Sequence, residues 1–196
     1  MSPGAVPSYP ERMTSSRDRI LDAFEEVLAV EGERYATVEA VAARAGVSKG
    51  GLLYHFPAKD QLAAALCDRL VALAAEDAES MRTAPEGPAR YYVRSSHYAG
   101  TPLDRALMAV SRLQQAGDAR AREVIESVSG QWLSILRDAL GSLDAARAVK
   151  LIGDGLYYHA LHSALGGHPA TTEADEGLLE VVDRITGATA VAERSP

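Results

Sequence analysis

Thr37-Val-Glu-Ala-Val-Ala-Ala-Arg-Ala-Gly-Val-Ser-Lys-Gly-Gly-Leu-Leu-Tyr-His-Phe56 is the stretch that decides how the chain folds. Thr37 is a good helix N-cap, and Val38, Val41, Ala42 and Ala45 recur behind it at helical spacing, so a short amphipathic helix is expected up to Gly46. Ser48 can cap a second short helix, from Lys49 to about His55, before Pro57 forces a break. Two short helices joined by a tight glycine turn, with Val47 plugging the angle between them, have the layout of a helix-turn-helix.

The flanks extend the same pattern. Upstream, Ile20, Phe24, Val27 and Leu28 form one stripe of a helix that begins after Ser15 or Ser16 and ends at Gly32. Downstream, Leu62, Leu66, Leu70 and Leu73 line the inner face of a helix from about Lys59 to Met81, and Arg82 to Pro88 reads as a surface connection. Further helices are expected from about Ala89 to Tyr98, from Pro102 behind Thr101 to about Ala116, and from Asp118 to Leu140. The last two run from Leu143 to Leu165 behind Ser142 and from Glu173 to Ile185 behind Thr172, with Gly117, Gly141 and Gly166-Gly167 as punctuation. No segment alternates apolar and polar residues between turn signals, so the fold class is all-α: a three-helix helix-turn-helix domain followed by a larger helical domain. The expected divisions are a disordered arm at 1–14, the helix-turn-helix domain at 15–58, the second domain at 59–187 and a loose tail at 188–196.

With 196 residues, 47% hydrophobic and 24% charged, the chain has the composition of a soluble globular protein, and no apolar run reaches the ~20 residues of a membrane span. A start without an apolar core and a single cysteine, Cys67, which suits a helix core, point to the cytoplasm and exclude a disulfide framework. A net charge of −7 argues at first sight against nucleic acid. Residues 44 to 59 nevertheless hold Arg44, Lys49 and Lys59 without any acid among them, so a local positive patch is expected.

The N-terminus of the second short helix offers free amide donors and a positive dipole end, suited to a major groove and its phosphates. Lys49 is the first candidate reader, while Tyr54 and His55 can donate to backbone phosphate and Lys59 can clamp the same strand. From Arg19 to Leu62, ending in Gly-Val-Ser-Lys-Gly-Gly-Leu-Leu-Tyr-His-Phe-Pro-Ala-Lys-Asp-Gln-Leu, the order of residues resembles the DNA-binding domain of the tetracycline-repressor (TetR) family. The resemblance implies a homodimeric repressor on a palindromic double-stranded DNA operator, released by a small molecule in the second domain. The expected DNA-contacting set is Thr37, Ser48, Lys49, Gly50, Gly51, Tyr54, His55 and Lys59. Two positions depart from the family pattern. Gly51 stands where many relatives carry a side chain that reaches DNA, and the pair at 50 and 51 costs the helix about 1 kcal/mol per glycine relative to alanine. Ala58 stands where a serine often caps the next helix.

Residues 89 to 165 hold most of the aromatic and histidine side chains, and Met108, Arg112, Trp132, Asp154, Tyr158 and His162 would form an effector pocket if their helices face inward. If Asp154 points into an aromatic cage, the ligand is a lipophilic cation. Small residues along Leu143–Leu165, including Ala145, Ala146, Ala148, Gly153, Gly155 and Ala160, permit close helix approach. With Leu178, Leu179, Val181 and Val182 they make these helices the candidate dimer face. No metal or other cofactor is expected, since His159 and His162 have no cysteine or acid beside them at ligand spacing. The rival readings are a helical enzyme and a protein-binding adaptor. Against the enzyme stand the absence of a Gly-x-Ser-x-Gly elbow, of a phosphate-cradling glycine loop and of His-Glu-x-x-His.

Overall fold

The computed structural model describes residues 15–165 and 174–187, and these hold nine α-helices and one 3-10 turn. Helix α1 (Ser16–Val30) starts where the Ser15 hydroxyl accepts the Asp18 amide, and it drives Ile20, Phe24 and Leu28 into the core with no exposed surface. After the 3-10 turn Glu33–Tyr35, α2 (Val38–Ala45) is capped by Thr37, whose hydroxyl accepts the Ala40 amide at 3.2 Å. Gly46 then turns the chain at φ 67°, a backbone that a residue with a Cβ adopts only under strain. Ser48 caps α3 (Lys49–His55), which contributes Leu52 to the core and hands on Phe56.

Helix α4 (Lys59–Thr83) runs 25 residues and buries Leu62, Leu66, Cys67, Leu70, Ala74, Ala78 and Met81 along one side. It extends two residues past the expected end, so the surface connection is shorter than the proline and glycine content suggested. Helix α5 (Pro88–Ser95) begins with Pro88 inside its first turn and stops before Tyr98, because Ser96 leaves the helical region at ψ 59°. Helices α6 (Pro102–Gln115), α7 (Ala119–Leu140), α8 (Leu143–Leu165) and α9 (Glu176–Thr186) complete the body. Helix α9 is capped by Asp175, whose carboxylate accepts the Leu178 amide at 2.8 Å. The expected start at Glu173 behind Thr172, the Gly166-Gly167 break, the arm at 1–14 and the tail at 188–196 lie outside the described residues.

Two clusters of buried side chains share α4 and α7. The first joins α1, α2 and α3 to the first half of α4, to Ala106, Ala109, Val110 and Leu113 of α6, and to Ala121 and Val128 of α7. The second joins Ala78 and Met81 at the far end of α4 to α5, to the end of α7, to α8 and to α9. The apolar packing therefore continues across residue 58, with Leu62 and Leu66 on the same core as Phe24 and Phe56. Burial also pushes the Cys67 thiol up to about 11, with the nearby Asp118 carboxylate adding to it, so the sulfur stays a protonated core atom at neutral pH.

The small residues of α8 divide between two environments. Ala146 and Ala160 are buried within the chain, and Gly153 sits where a Cβ would lie 2.6 Å from the Tyr92 ring of α5 and 2.7 Å from the Ser96 hydroxyl. Gly155 faces open space. In α9, Leu179 and Val182 are buried within the chain, while Leu178 and Val181 are partly exposed. Gly153 thus serves the α5–α8 contact, while Leu151 and Tyr158 of the same helix are exposed.

Helix α4 begins without a side-chain cap, since Ala58 is extended at φ −146° and ψ 157° and has no acceptor for the free amides. Ala58→Ser should raise stability by about 1 kcal/mol, or roughly 2–4 °C in melting temperature for a chain of this size. A melting curve that is unchanged or lower would count against this helix start.

Candidate functional site

The face presented by α2, α3 and the start of α4 is polar and exposed. Tyr54 is 84% exposed with its ring edge-on to His55, and Ser48, Lys49 and Gly50 are open to solvent. Thr37 and Ser48 use their hydroxyl oxygens as caps for the Ala40 and Gly51 amides. At Gly51 a Cβ would come within 3.3 Å of the Ser48 hydroxyl oxygen, whereas at Gly50 it would meet nothing closer than 3.9 Å. Gly51 is thus set close against the capping hydroxyl and Gly50 has room for a side chain.

The positive patch expected from residues 44 to 59 is not bare. Arg44 pairs with Glu26 and Glu31 of α1 and its end, Lys49 pairs with Glu39 of α2 at 2.6 Å, and Lys59 pairs with Glu33 in the 3-10 turn at 2.7 Å. The segment lacks acids in sequence, but folding brings four from outside it. The Lys49 ammonium holds the Glu39 carboxyl below the ordinary carboxylate range, chiefly through their hydrogen bond. Arg17 lies 4.8 Å over the Phe56 ring, a cation–π contact across 39 residues of sequence that helix periodicity could not reveal.

In the body, a cavity of about 500 Å³ opens between α4, α5, α6, α7 and α8. Trp132, Asp154 and Tyr158 line it, together with Asp77, Tyr91, Tyr92, Asp104 and Tyr157. Met108, Arg112 and His162 line a separate, smaller cleft of about 210 Å³ beside it, so the six residues expected to form one pocket are divided between two. Helix faces read from the sequence order side chains along each helix but not the rotation of one helix against another. Leu107, Tyr157 and Leu161 border both spaces.

The polar groups of the larger cavity are held in place. The Asp77 carboxylate accepts hydrogen bonds from the Trp132 indole at 2.9 Å and from the Tyr91 hydroxyl at 3.0 Å. Asp154 accepts from the Tyr92 hydroxyl at 2.6 Å and pairs with Lys150 one turn earlier. Asp104 closes a capping box with Thr101 at the start of α6 and also accepts the Ala99 amide. Burial first, and then the adjoining carboxylates, push the Tyr91, Tyr92 and Tyr157 hydroxyls above the ordinary phenol value, so all three remain neutral donors. Among the described residues the Tyr157 hydroxyl is buried and makes no hydrogen bond. Asp77 and Asp104 were not among the sequence candidates, because their convergence depends on the mutual placement of α4 and α6.

Beside Asp104 on α6, Arg105 turns the other way. Its guanidinium pairs with the buried Glu25 of α1 at 3.1 Å and donates to the Gly100 carbonyl at 2.6 Å, while Arg69 of α4 reaches the other Glu25 oxygen at 3.2 Å. Adjacent residues of one helix therefore touch the cavity and the helix-turn-helix unit. Among the described residues, no group of three or more histidines, cysteines or acids is arranged to hold a metal ion, and no helix is long and apolar enough to cross a membrane.

Residues 20–66 match the family model described as bacterial regulatory proteins, tetR family. No curated protein sequence matches the chain. A protein of Streptomyces coelicolor A3(2) described as a transcriptional regulator shares 25% identity with a TM-score of 0.61, the alignment covering 87% of this chain and 98% of that one. A transcriptional regulator of Rhodococcus sp. Rha1 is 23% identical with a TM-score of 0.57 over 93% of this chain and all of its own. The multidrug binding protein EbrR, solved with imidazole, is 23% identical with a TM-score of 0.57, over 87% of this chain and 94% of its own. The matched segment spans α1 through the first part of α4, and its two-helix unit is of the kind that regulators of transcription carry. Residues 20–66 are thus similar to the tetR family of bacterial regulatory proteins, and the fold of the whole chain is similar to that of solved transcriptional regulators.

The close contact at Gly153 gives a direct check on the cavity wall. Gly153→Ala should destabilise the chain by about 1–3 kcal/mol through overpacking and change the emission of Trp132, whose ring lies 6.1 Å from that of Tyr92. Gly130→Ala on α7, where a Cβ meets nothing within 4 Å, should gain about 1 kcal/mol instead. Thermal melts of the two variants should move in opposite directions. Glu25→Gln removes the charge shared by Arg69 and Arg105 and should cost about 2 kcal/mol, a drop of roughly 4–8 °C.

Proposed function

We propose that the protein is a ligand-released repressor that binds a palindromic DNA operator as a homodimer. In this reading α3 enters the major groove, Lys49 reads base edges, and Tyr54, His55 and Lys59 donate to phosphates. Thr37 and Ser48 present the capped N-termini of α2 and α3 to the backbone, and Gly50 and Gly51 allow close approach of α3 to the groove. The observation that carries the proposal is the run Asp104-Arg105, which joins the cavity wall to the buried Glu25 of the helix-turn-helix unit. A ligand that binds better when the start of α6 is displaced shifts the position of α1, and with it α3, lowering operator affinity by the ratio of its affinities for the two forms.

The paired cations give the DNA complex a particular electrostatic character. Base edges take Lys49 from Glu39 and a phosphate takes Lys59 from Glu33, so association replaces both acidic partners with DNA. Weak non-specific binding follows, which suits an acidic regulator that must find few sites. The second copy docks on the outer face of α8 and α9, where Leu151 is 71% exposed and Tyr158 and Ile185 are also open to solvent. Two copies related by a two-fold axis place their recognition helices about one DNA turn apart, ~34–36 Å.

A mobility-shift titration on the DNA upstream of the protein's own gene tests this. A salt-sensitive complex that requires a palindrome is expected, and Lys49→Ala with Tyr54→Ala should abolish it while the circular-dichroism spectrum stays the same. Glu39→Gln should tighten the complex about two- to fivefold by freeing Lys49 from an exposed ion pair. A folded chain with no affinity for any palindromic site would overturn the reading in favour of an adaptor.

A further inference from the structure

We infer that the larger cavity takes a flat, lipophilic organic monocation, whose positive charge is read by Asp77 of α4. This rests on the reading of the cavity as the effector site and names the class of effector. Three carboxylates line the cavity, with no lysine or arginine among the lining side chains. Two of the three are less available, one being neutralised and the other buried at 6% exposure. Asp154 is matched by the Lys150 ammonium at 2.7 Å, and Asp104 is spent on the start of α6, where the Thr101 and Ala99 amides and the Thr101 hydroxyl converge on one of its oxygens. The sequence-based choice of Asp154 as the cation partner therefore passes to Asp77.

Asp77 has only neutral partners, the Trp132 indole and the Tyr91 hydroxyl, and among the described residues no cation lies within ion-pair distance of it. Those two donors fix the carboxylate beside Tyr91 and Trp132 in the aromatic wall, whose third ring, Tyr92, already has the Lys150 ammonium 5.9 Å over it. Ring faces carry negative quadrupole potential, so the carboxylate and the rings attract the same sign of charge and add to one another. An anion would face three carboxylates with no lining cation, and a neutral ligand would leave the Asp77 charge uncompensated as it expelled water. The single lining imidazole, His97, is engaged through Nδ1 with the Arg94 carbonyl. A cavity of about 500 Å³ suits a molecule of two to four fused rings.

Trp132 is the only tryptophan of the chain and lines the cavity, so its emission reports binding. Three probes of nearly the same shape separate charge from size: 10-methylacridinium, acridine kept neutral at pH 8, and anthracene-9-carboxylate. The full chain should bind the methylacridinium at least tenfold more tightly than acridine and the carboxylate not at all. Asp77→Asn should remove the preference for the cation, and Asp77→Glu should restore part of it, which a merely structural role for the carboxylate would not do. Equal affinity for cation and neutral probe, binding of the anion, failure of all three to bind, or an unchanged preference in Asp77→Asn would each overturn the inference. Operator release is measured separately with the same probes. A cation that binds selectively at Asp77 without releasing DNA sustains the inference and refutes the release mechanism, whereas DNA released only by acridine or the anionic probe refutes the inference and leaves the release mechanism standing.

Discussion

Glu25 is a carboxylate inside a hydrophobic core, and the arrangement of α1, α4 and α6 follows from what such a charge requires. A buried anion without a partner would cost several kcal/mol, so the helices must bring cations to it in fixed geometry. Arg69 comes from α4 and Arg105 from α6, and Asp22 takes a second contact with Arg69 one turn before Glu25. Apolar packing alone tolerates small slides between helices, whereas a shared carboxylate loses its partners when any of the three moves. The helix-turn-helix unit is thereby indexed to the body by a charge, and the apolar cluster from Phe24 to Leu66 supplies the adhesion.

The two ends of the molecule treat charge in opposite ways. On the exposed face of α2, α3 and the start of α4, each lysine is matched with a surface acid that lies outside its own helix. In the cavity, Asp154 pairs with Lys150, Asp104 caps the start of α6, and Asp77 accepts from the Trp132 indole and the Tyr91 hydroxyl. A net charge of −7 thus conceals two differently prepared sites, and their separation explains why a sum over the sequence says little about either.

What could be read from the sequence was local in origin. Ser15, Thr37, Ser48, Thr101 and Asp118 each cap a helix through an amide three residues on, and that geometry is written in residue order alone. The end of α5 escaped because Ser96 and His97 are not helix breakers; their departure from helical backbone is set by the chain's passage to the start of α6. The Lys150–Asp154 pair was legible at i, i+4 and would have removed Asp154 from consideration as a ligand anchor. Asp77 carried no such signal. It sits among acids and alanines on a helix whose apolar stripe points elsewhere, and only Trp132, 55 residues away, gives it a meaning. The neutralisation of Lys49 and Lys59 was hidden for the same reason, since their partners belong to other elements.

The length of α4 has a mechanical consequence. At 1.5 Å per residue its 25 residues form a rod of about 37 Å, with Asp77 near one end and Lys59 at the other. Pivoting such a rod by about 5° near its cavity end carries the opposite end through about 3 Å, a gain that converts a displacement smaller than a bond length at Asp77 into one comparable with a hydrogen-bond distance at Lys59. The weak joint is the uncapped start at Ala58, where the rod meets α3 through a single proline-containing bend. A long stiff element ending in an unreinforced joint transmits angle faithfully and lets the small α3 settle on whatever surface that angle brings within reach.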